Sequence, residues 1–275
     1  MDALHSWAGQ LAAWAIPEPI LAGARESPWV LPHQVFVRRT ERQVAQPEGA
    51  TYDAALAVLT EPGTVLDVGA GAGATSLPLV SRLTALTAVD ENEAMLARYA
   101  ERAAALGVPV RLVAGSWPAV AARVEPADLV VCGHVLYNVA DLAPFVAALT
   151  DHARRRVVAE LTEQHPLTSL NPLWRRLHGI ERPTGPTADD AVAALRQVGI
   201  EPTVTRWSRP ATADYATFEE MVEVTRRRLC LPPEAAPEVV AALRELQVDP
   251  DTPPDLGSAG RRLVTLTWPG TAGTG

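Results

Sequence analysis

Residues 64–75, Thr64-Val65-Leu66-Asp67-Val68-Gly69-Ala70-Gly71-Ala72-Gly73-Ala74-Thr75, constrain the fold more than any other stretch. An apolar run around Asp67 has strand character, and glycine then recurs at every second position. Without Cβ atoms at 69, 71 and 73 the main chain turns sharply and lies close against a ligand. Ala74 to Leu83 reads as a helix, whose first N–H groups would point into the same space. Strand, glycine loop and helix in this order make the nucleotide-binding corner of a Rossmann-like sheet. The corner predicts a site for a nucleotide-like cofactor.

Two patterns overlap there. Gly69-x-Gly71-x-x-Ala74 satisfies the dinucleotide fingerprint, with Asp90 following at the distance it asks for. The same residues also read Asp67-x-Gly69-x-Gly71-x-Gly73, with an acid two residues ahead of the first glycine. An acid at that place suits a cofactor with an ammonium group and sits poorly beside pyrophosphate.

The rest of the chain alternates strands and helices. Residues 1–50, rich in Trp, Pro and Arg, hold no clear strand; Ala3 to Ala15 reads as an amphipathic helix ended by Pro17 and Pro19, and Ser27-Pro28-Trp29 and Pro32-His33 as loops. Thr51 to Leu59 reads as a helix capped by Thr51. Leu86 to Val89 makes a second strand ending at Asp90, whose two oxygens can accept both ribose hydroxyls. Asn92 to Leu106 is a helix, Pro109 to Ala114 a third strand, and Asp128 to Cys132 an apolar run typical of a central parallel strand. Asp141 is placed to cap a helix reaching about Ala153, and Arg156 to Leu161 is a fifth strand. A polar and aromatic insertion containing His165 and Trp174 follows. Thr187 to Val198 reads as a helix, Thr203 to Trp207 as the sixth strand, 213–230 and 234–247 as a helical excursion, and Arg262 to Trp268 as the seventh strand. The Gly/Thr-rich tail after Pro269 reads as frayed.

Composition removes several functions. The net charge of −8 argues against a broad surface that tracks nucleic-acid phosphates. All 24 basic residues are arginine. A Walker A loop, a lysine Schiff base and the Tyr-x-x-x-Lys pair of short-chain dehydrogenases are therefore excluded. Cys132 and Cys230 lie far apart without metal-ligand spacing, which reads as a reduced cytoplasmic protein with no metal. The start of the chain lacks a secretion-signal pattern, and no run is long enough to span a bilayer.

The Asp67 loop, Asp90, the Gly115-Ser116-Trp117 loop and the strand from Asp128 to Gly133 together resemble the class I S-adenosylmethionine-dependent methyltransferases. The resemblance covers roughly residues 51–270. It implies a seven-stranded, mostly parallel Rossmann-like α/β sheet flanked by helices, whose last strand inserts antiparallel. It also implies S-adenosylmethionine held by Asp67, Gly69, Gly71 and Gly73 at its methionine end, by Asp90 at the ribose, and by Ser116 or Trp117 at the adenine, with Glu91 and Gly133 also among the cofactor-binding residues. Many members carry Asp where this chain has Ser116.

Open α/β sheets bind ligands beyond the carboxyl ends of their strands. By that rule Gly133-His134-Val135-Leu136-Tyr137-Asn138 faces the transferable group. Where an acceptor needs a base, His134, Tyr137 and His165 are the candidates. Residues 1–50 are expected as a cap or substrate lid on a methyltransferase domain over 51–275, with 163–186 as a lid insertion and 211–250 as the helical excursion. The Asn/Asp-Pro-Pro-Tyr/Phe motif of base-amino methyltransferases and the Pro-Cys nucleophile of cytosine enzymes are both absent. A small-molecule acceptor leads, with a protein side chain second. A nicotinamide-dependent oxidoreductase and a non-catalytic cofactor-binding module are the rival readings. The acceptor atom and the oligomeric state are not encoded in any motif.

Overall fold

A computed structural model describes residues 2–29, 32–210, 215–251, 253–254, 256 and 262–272. Seven strands form one sheet: β1 Gly63–Val68, β2 Leu83–Asp90, β3 Val110–Ala114, β4 Ala127–Gly133, β5 Ala153–Thr162, β6 Thr203–Ser208 and β7 Arg262–Pro269. Their order is β3-β2-β1-β4-β5-β7-β6. The first five strands pair parallel, and β7 enters antiparallel between β5 and β6. The expected seven-stranded Rossmann-like sheet is therefore present, with its last strand reversed.

The central strands earn their place by burial. Val65, Leu66 and Val68 of β1 and Leu129 to Cys132 of β4 are almost wholly excluded from water. Apolar side chains on both faces of a parallel strand require a helical layer on each side. One layer holds α1 (Ala3–Ala12), α6 (Leu142–His152) and α8 (Ala188–Gln197), packed with Trp7, Phe145 and Leu195 on one face of the sheet. The other holds α4 (Ala50–Val58) and α5 (Glu93–Ala105), packed through Ala55, Leu96 and Tyr99.

A second apolar cluster joins α2 (Glu18–Leu21) and α3 (His33–Ala45) to α7 (Asn171–His178), α9 (Phe218–Arg228) and α10 (Ala236–Glu245). Val35, Trp174, Met221 and Leu243 are at its centre. The first fifty residues are therefore shared between two bodies. α1 docks on α8, and its Trp7 Nε1 donates at 2.8 Å to the Val139 carbonyl ahead of α6, while α3 joins the helical cluster.

Several local expectations give way to packing. No α-helix follows the glycine loop; residues 77–82 form a 3-10 helix instead. Pro78 supplies no N–H for the Ala74 carbonyl, and β2 begins at Leu83, directly after the 3-10 turn. α4 starts one residue early with Gly49 as its N-cap, so Thr51 lies inside the helix. There its hydroxyl meets that of Thr265 at 2.7 Å and ties α4 to β7. Asp141 stands at the N-cap of α6 without a side-chain cap bond. His33, expected in a loop, opens α3, and α1 ends at Ala12 rather than Ala15. Residues 213–214 of the expected helical excursion and the last three residues of the tail lie outside the described residues.

Candidate active site

A cavity of about 930 Å³ opens at the carboxyl ends of β1, β2, β3 and β4. Its floor is the stretch from Val68 to Thr75, except Gly73, with Asp90, Glu91 and Asn92 after β2 and Gly115 to Ala119 after β3. Gly133, His134, Val135 and Asn138 follow β4, and the cap contributes Trp29, Phe36, Arg39 and Thr40.

The glycine loop and Asp90 brace each other. The Gly71 N–H donates to Asp90 Oδ2 at 2.8 Å, and the Asn92 N–H donates to Oδ1 at 2.8 Å. Each carboxylate oxygen keeps a lone pair for a ligand hydroxyl. Gly71 holds φ +52°, and a Cβ there would point into space bounded only by the Met95 methyl at 3.9 Å. The backbone can thus be approached to contact distance. Gly133 lies against the same loop: a Cβ on it would fall 2.2 Å from Thr75 Oγ1.

Asp67 and Gly73 take other roles than the sequence assigns. Asp67 is only 1% exposed and does not line the cavity. Its Oδ2 accepts the Ser76 hydroxyl, which in turn meets the Tyr99 phenol, while Oδ1 is buried without a partner among the described residues. Burial raises its carboxyl to about 7, against the pull of the Ser76 bond. Gly73 is walled off by Leu77 and Tyr99, which a Cβ would strike.

Ser116 and Trp117 both line the cavity. Trp117 is nearly buried, and its Nε1 donates to the Phe145 carbonyl at 3.3 Å, so its ring is fixed by α6.

The three candidate bases separate. His134 lines the cavity at the end of β4 with φ +60°, a left-handed conformation that is uncommon outside glycine. Its backbone N–H donates to the Glu160 carbonyl at 2.7 Å, and its Nε2 lies 2.8 Å from Glu160 Oε1. With Nε2–H given to the carboxylate, Nδ1 is the basic nitrogen. Burial alone would raise the Glu160 carboxyl, but bonds from His134 and Thr51 and the charges of His134 and Arg209 hold it below its ordinary value.

Tyr137 and His165 are displaced from the role expected of them. Tyr137 is buried, gives its hydroxyl to the Thr162 carbonyl at 2.8 Å and stacks on Trp7, outside the cavity wall. His165 is buried and stacks on Trp14 at 4.2 Å, with Nδ1 accepting the Leu167 N–H. Burial, aided by the Arg228 charge, lowers it to about 4, so it is neutral near pH 7.

Sequence reasoning did not single out Thr75, Asn92, Met95, Phe145 or the cap residues as cavity lining, nor Glu160 as the partner of His134. Only Glu160 carried a signal: an acid near the end of a strand adjacent to β4. No group of His, Cys, Asp and Glu suited to a metal occurs among the described residues.

A family model described as a methyltransferase domain matches residues 65–156, which span β1 to the start of β5. Over that segment the chain is similar to the methyltransferase domain family. The matched segment supplies the glycine loop, Asp90, Ser116, Trp117 and His134 of the cavity, and β5 to β7 complete the sheet beyond it. Solved structures share the fold at low identity. A putative methyltransferase from Bacillus halodurans has 15% identity and a TM-score of 0.53, covering 81% of this chain and 100% of its own. A cyclopropane-fatty-acyl-phospholipid synthase-like protein from Lactobacillus casei has 16% identity and a TM-score of 0.53, covering 92% and 98%. A putative sarcosine dimethylglycine methyltransferase from Galdieria sulphuraria has 14% identity and a TM-score of 0.52, covering 92% and 96%. Among curated proteins, none matches the sequence.

Proposed function

We propose that this methyltransferase binds S-adenosylmethionine in the 930 Å³ cavity and transfers its methyl group to a small-molecule acceptor. The observation that carries the reading is the joint geometry of Gly71 and Asp90. A backbone open to contact stands beside a carboxylate that retains acceptor capacity, at the carboxyl ends of adjacent strands. The residues fit the cofactor: Gly69 and Gly71 would lie along it, Asp90 and Glu91 beside its ribose, Ser116 and Trp117 near its adenine, and Gly133 close to the reacting end. Asp67 contributes through the loop it buttresses rather than by touch.

When bound, the cofactor supplies a methyl group already activated on a sulfonium. The chain's own residues then need to orient the acceptor and exclude water, effects that reach about 7–11 kcal/mol in the best cases. His134 is placed to receive a proton from the acceptor at Nδ1, and Glu160 stabilises the imidazolium that results. Residues 1–50 and 163–186 act together as the substrate lid, with Trp29 and Phe36 on the cavity wall. Cys132 and Cys230, both buried and unbridged, support a reducing, cytoplasmic setting. The acidic balance favours a small acceptor over nucleic acid.

Thermal unfolding with S-adenosylhomocysteine, S-adenosylmethionine, NADH or NADPH added separately tests the cofactor. A ligand at 100 times its Kd stabilises by about 2.7 kcal/mol. The expected result is a shift with the adenosyl compounds alone, abolished by Asp90→Ala. A shift with NADH alone would refute the reading in favour of an oxidoreductase.

A further inference from the structure

Behind His134 a line of hydrogen-bonding side chains runs across one face of the sheet. Glu160 of β5 lies opposite Gly133 of β4 and opposite Thr265 of β7, and Thr265 lies opposite Thr205 of β6. Residues opposite one another share a face, and Trp207, two residues along β6 from Thr205, is the diagonal neighbour of Thr265. α4 packs on that face and brings Thr51 down onto it. The side chains form a connected series. Trp207 Nε1 donates to Thr265 Oγ1 at 3.0 Å, and the Thr265 and Thr51 hydroxyls meet at 2.7 Å. Thr51 donates to the Glu160 carboxylate, and Glu160 Oε1 lies 2.8 Å from His134 Nε2.

The direction of the series follows from what each group can give. An indole N–H only donates, and a threonine hydroxyl has one hydrogen. Thr51 gives its own to the carboxylate, so the hydrogen between the two threonines comes from Thr265, whose lone pairs accept from Trp207. Every donor therefore points toward Glu160, as an ionised carboxylate requires, and bonds aligned in this way polarise one another. The series is also held in place. Thr51 and Thr265 are buried, and the Trp207 ring lies against Gly49, where a Cβ would fall 2.3 Å from it. The charged groups that face Glu160 are His134 after β4 and Arg209 after β6, and both favour its anion. His134 itself stands at φ +60°, a conformation kept only where the surroundings over-determine it.

We propose that Thr51, Thr265 and Trp207 are positioning residues for the methyl transfer: they hold the Glu160 carboxylate turned toward His134 Nε2, which leaves Nδ1 as the nitrogen that takes the acceptor's proton. This rests on the reading of His134 given above. None of the three lines the cavity, so they act through Glu160 and touch neither cofactor nor acceptor. The proton that leaves the acceptor stops at Nδ1. Each hydrogen in the series stays on its own oxygen or nitrogen, so the series orients and moves no proton.

The test is an NMR titration of the isotopically labelled full chain, with and without S-adenosylhomocysteine, that follows the carboxyl carbon of Glu160 and the ring nitrogens of His134. Each signal is assigned by its loss in Glu160→Gln or His134→Gln. Thr51→Val removes one hydroxyl at nearly constant volume. The bond it breaks favours the anion, so the Glu160 midpoint is expected to rise by about one pH unit or more, the scale of a hydrogen bond to a charged group. Where the ring is neutral, the His134 nitrogens should report hydrogen on Nε2 alone in the parent protein and on either nitrogen in Thr51→Val. Thr265→Val should move both readings less. Thr51→Ser should move neither, nor should Thr267→Val, which lies on β7 outside the series. A midpoint or a tautomer unmoved in folded Thr51→Val, or moved as far in Thr51→Ser, would overturn the proposal, and a lowered Tm without those changes would assign the series to folding alone. If Thr51→Val does not fold, the same readings in Thr265→Val decide. S-adenosylhomocysteine binding is titrated in parallel: a parent protein that does not bind it refutes the cofactor reading, whereas binding with both readings unmoved in Thr51→Val refutes the positioning residues alone.

Discussion

Gly71→Ala separates the binding role of the glycine loop from its folding role. Gly71 sits at φ +52°, where an L-residue is disfavoured by about 1–2 kcal/mol. Its new methyl would meet nothing nearer than the Met95 methyl at 3.9 Å, so no packing penalty is added. For a chain of this length that loss lowers Tm by roughly 2–8 °C. The methyl nevertheless projects into the cavity against which the cofactor lies. Isothermal titration with S-adenosylhomocysteine should show a Kd raised by about tenfold or more, equivalent to ~1.4 kcal/mol. Gly69→Ala is the internal comparison. It shares a positive φ, +70°, but its Cβ would fall 2.2 Å from Val135 Cγ2, so the neighbour must move and about 1–3 kcal/mol of overpacking is added. Gly69→Ala should therefore lose more stability than Gly71→Ala. If Gly71→Ala kept its affinity to within about twofold, the cofactor would not lie against this loop, and the assignment of the cavity would fail.

Asp67 gives a pH prediction. Its folded carboxyl lies at about 7 against an ordinary 3.8, so the folded state binds more protons between those values. The stability linked to it is full below pH ~4 and is lost as pH rises through 7, a change on the order of 4 kcal/mol. Asp67→Asn should flatten that decline in denaturant melts taken from pH 5 to 8; an unchanged decline would refute it. His134→Gln and Glu160→Gln should each lower kcat, the former by about 10²–10⁴-fold for an acceptor that must lose a proton, with S-adenosylhomocysteine affinity retained in titration. His165→Phe should leave the pH profile and turnover unaltered, because its ring is stacked on Trp14 outside the cavity. Tyr137→Phe should lose only the bond to the Thr162 carbonyl, about 1 kcal/mol in unfolding free energy.

The sheet was readable because its strands advertise themselves locally. The run from Asp128 to Cys132 can only be a doubly buried strand, and the glycine loop can only be a tight turn after one. Asp90 and Asn92 also announce themselves, as a strand end and a helix cap. Asp67 misleads because spacing locates an acid near the loop but does not tell which way its side chain leaves the strand; Ser76 and Tyr99, nine and thirty-two residues further on, draw it inward. Tyr137 and His165 mislead for a similar reason: aromatic partners from α1 and the segment after it, Trp7 and Trp14, cover them. The cap's contribution to the cavity, Trp29, Phe36, Arg39 and Thr40, depends on how α3 and the segment before it fold back over the sheet, and no local pattern encodes that.

Glu160 grips its neighbour twice, through its own carbonyl to the His134 N–H and through its carboxylate to the imidazole. The Gly133–Glu160 pairing of β4 with β5 therefore sets where the imidazole points. That ring inherits the stiffness of a sheet and has no freedom to follow a substrate. Adaptation to acceptors of different shape then falls to the helical cap, whose cavity wall is made by Trp29, Phe36 and Arg39. On the reading proposed above, redesign of acceptor choice belongs in those side chains, where changes leave the register of β4 and β5 untouched.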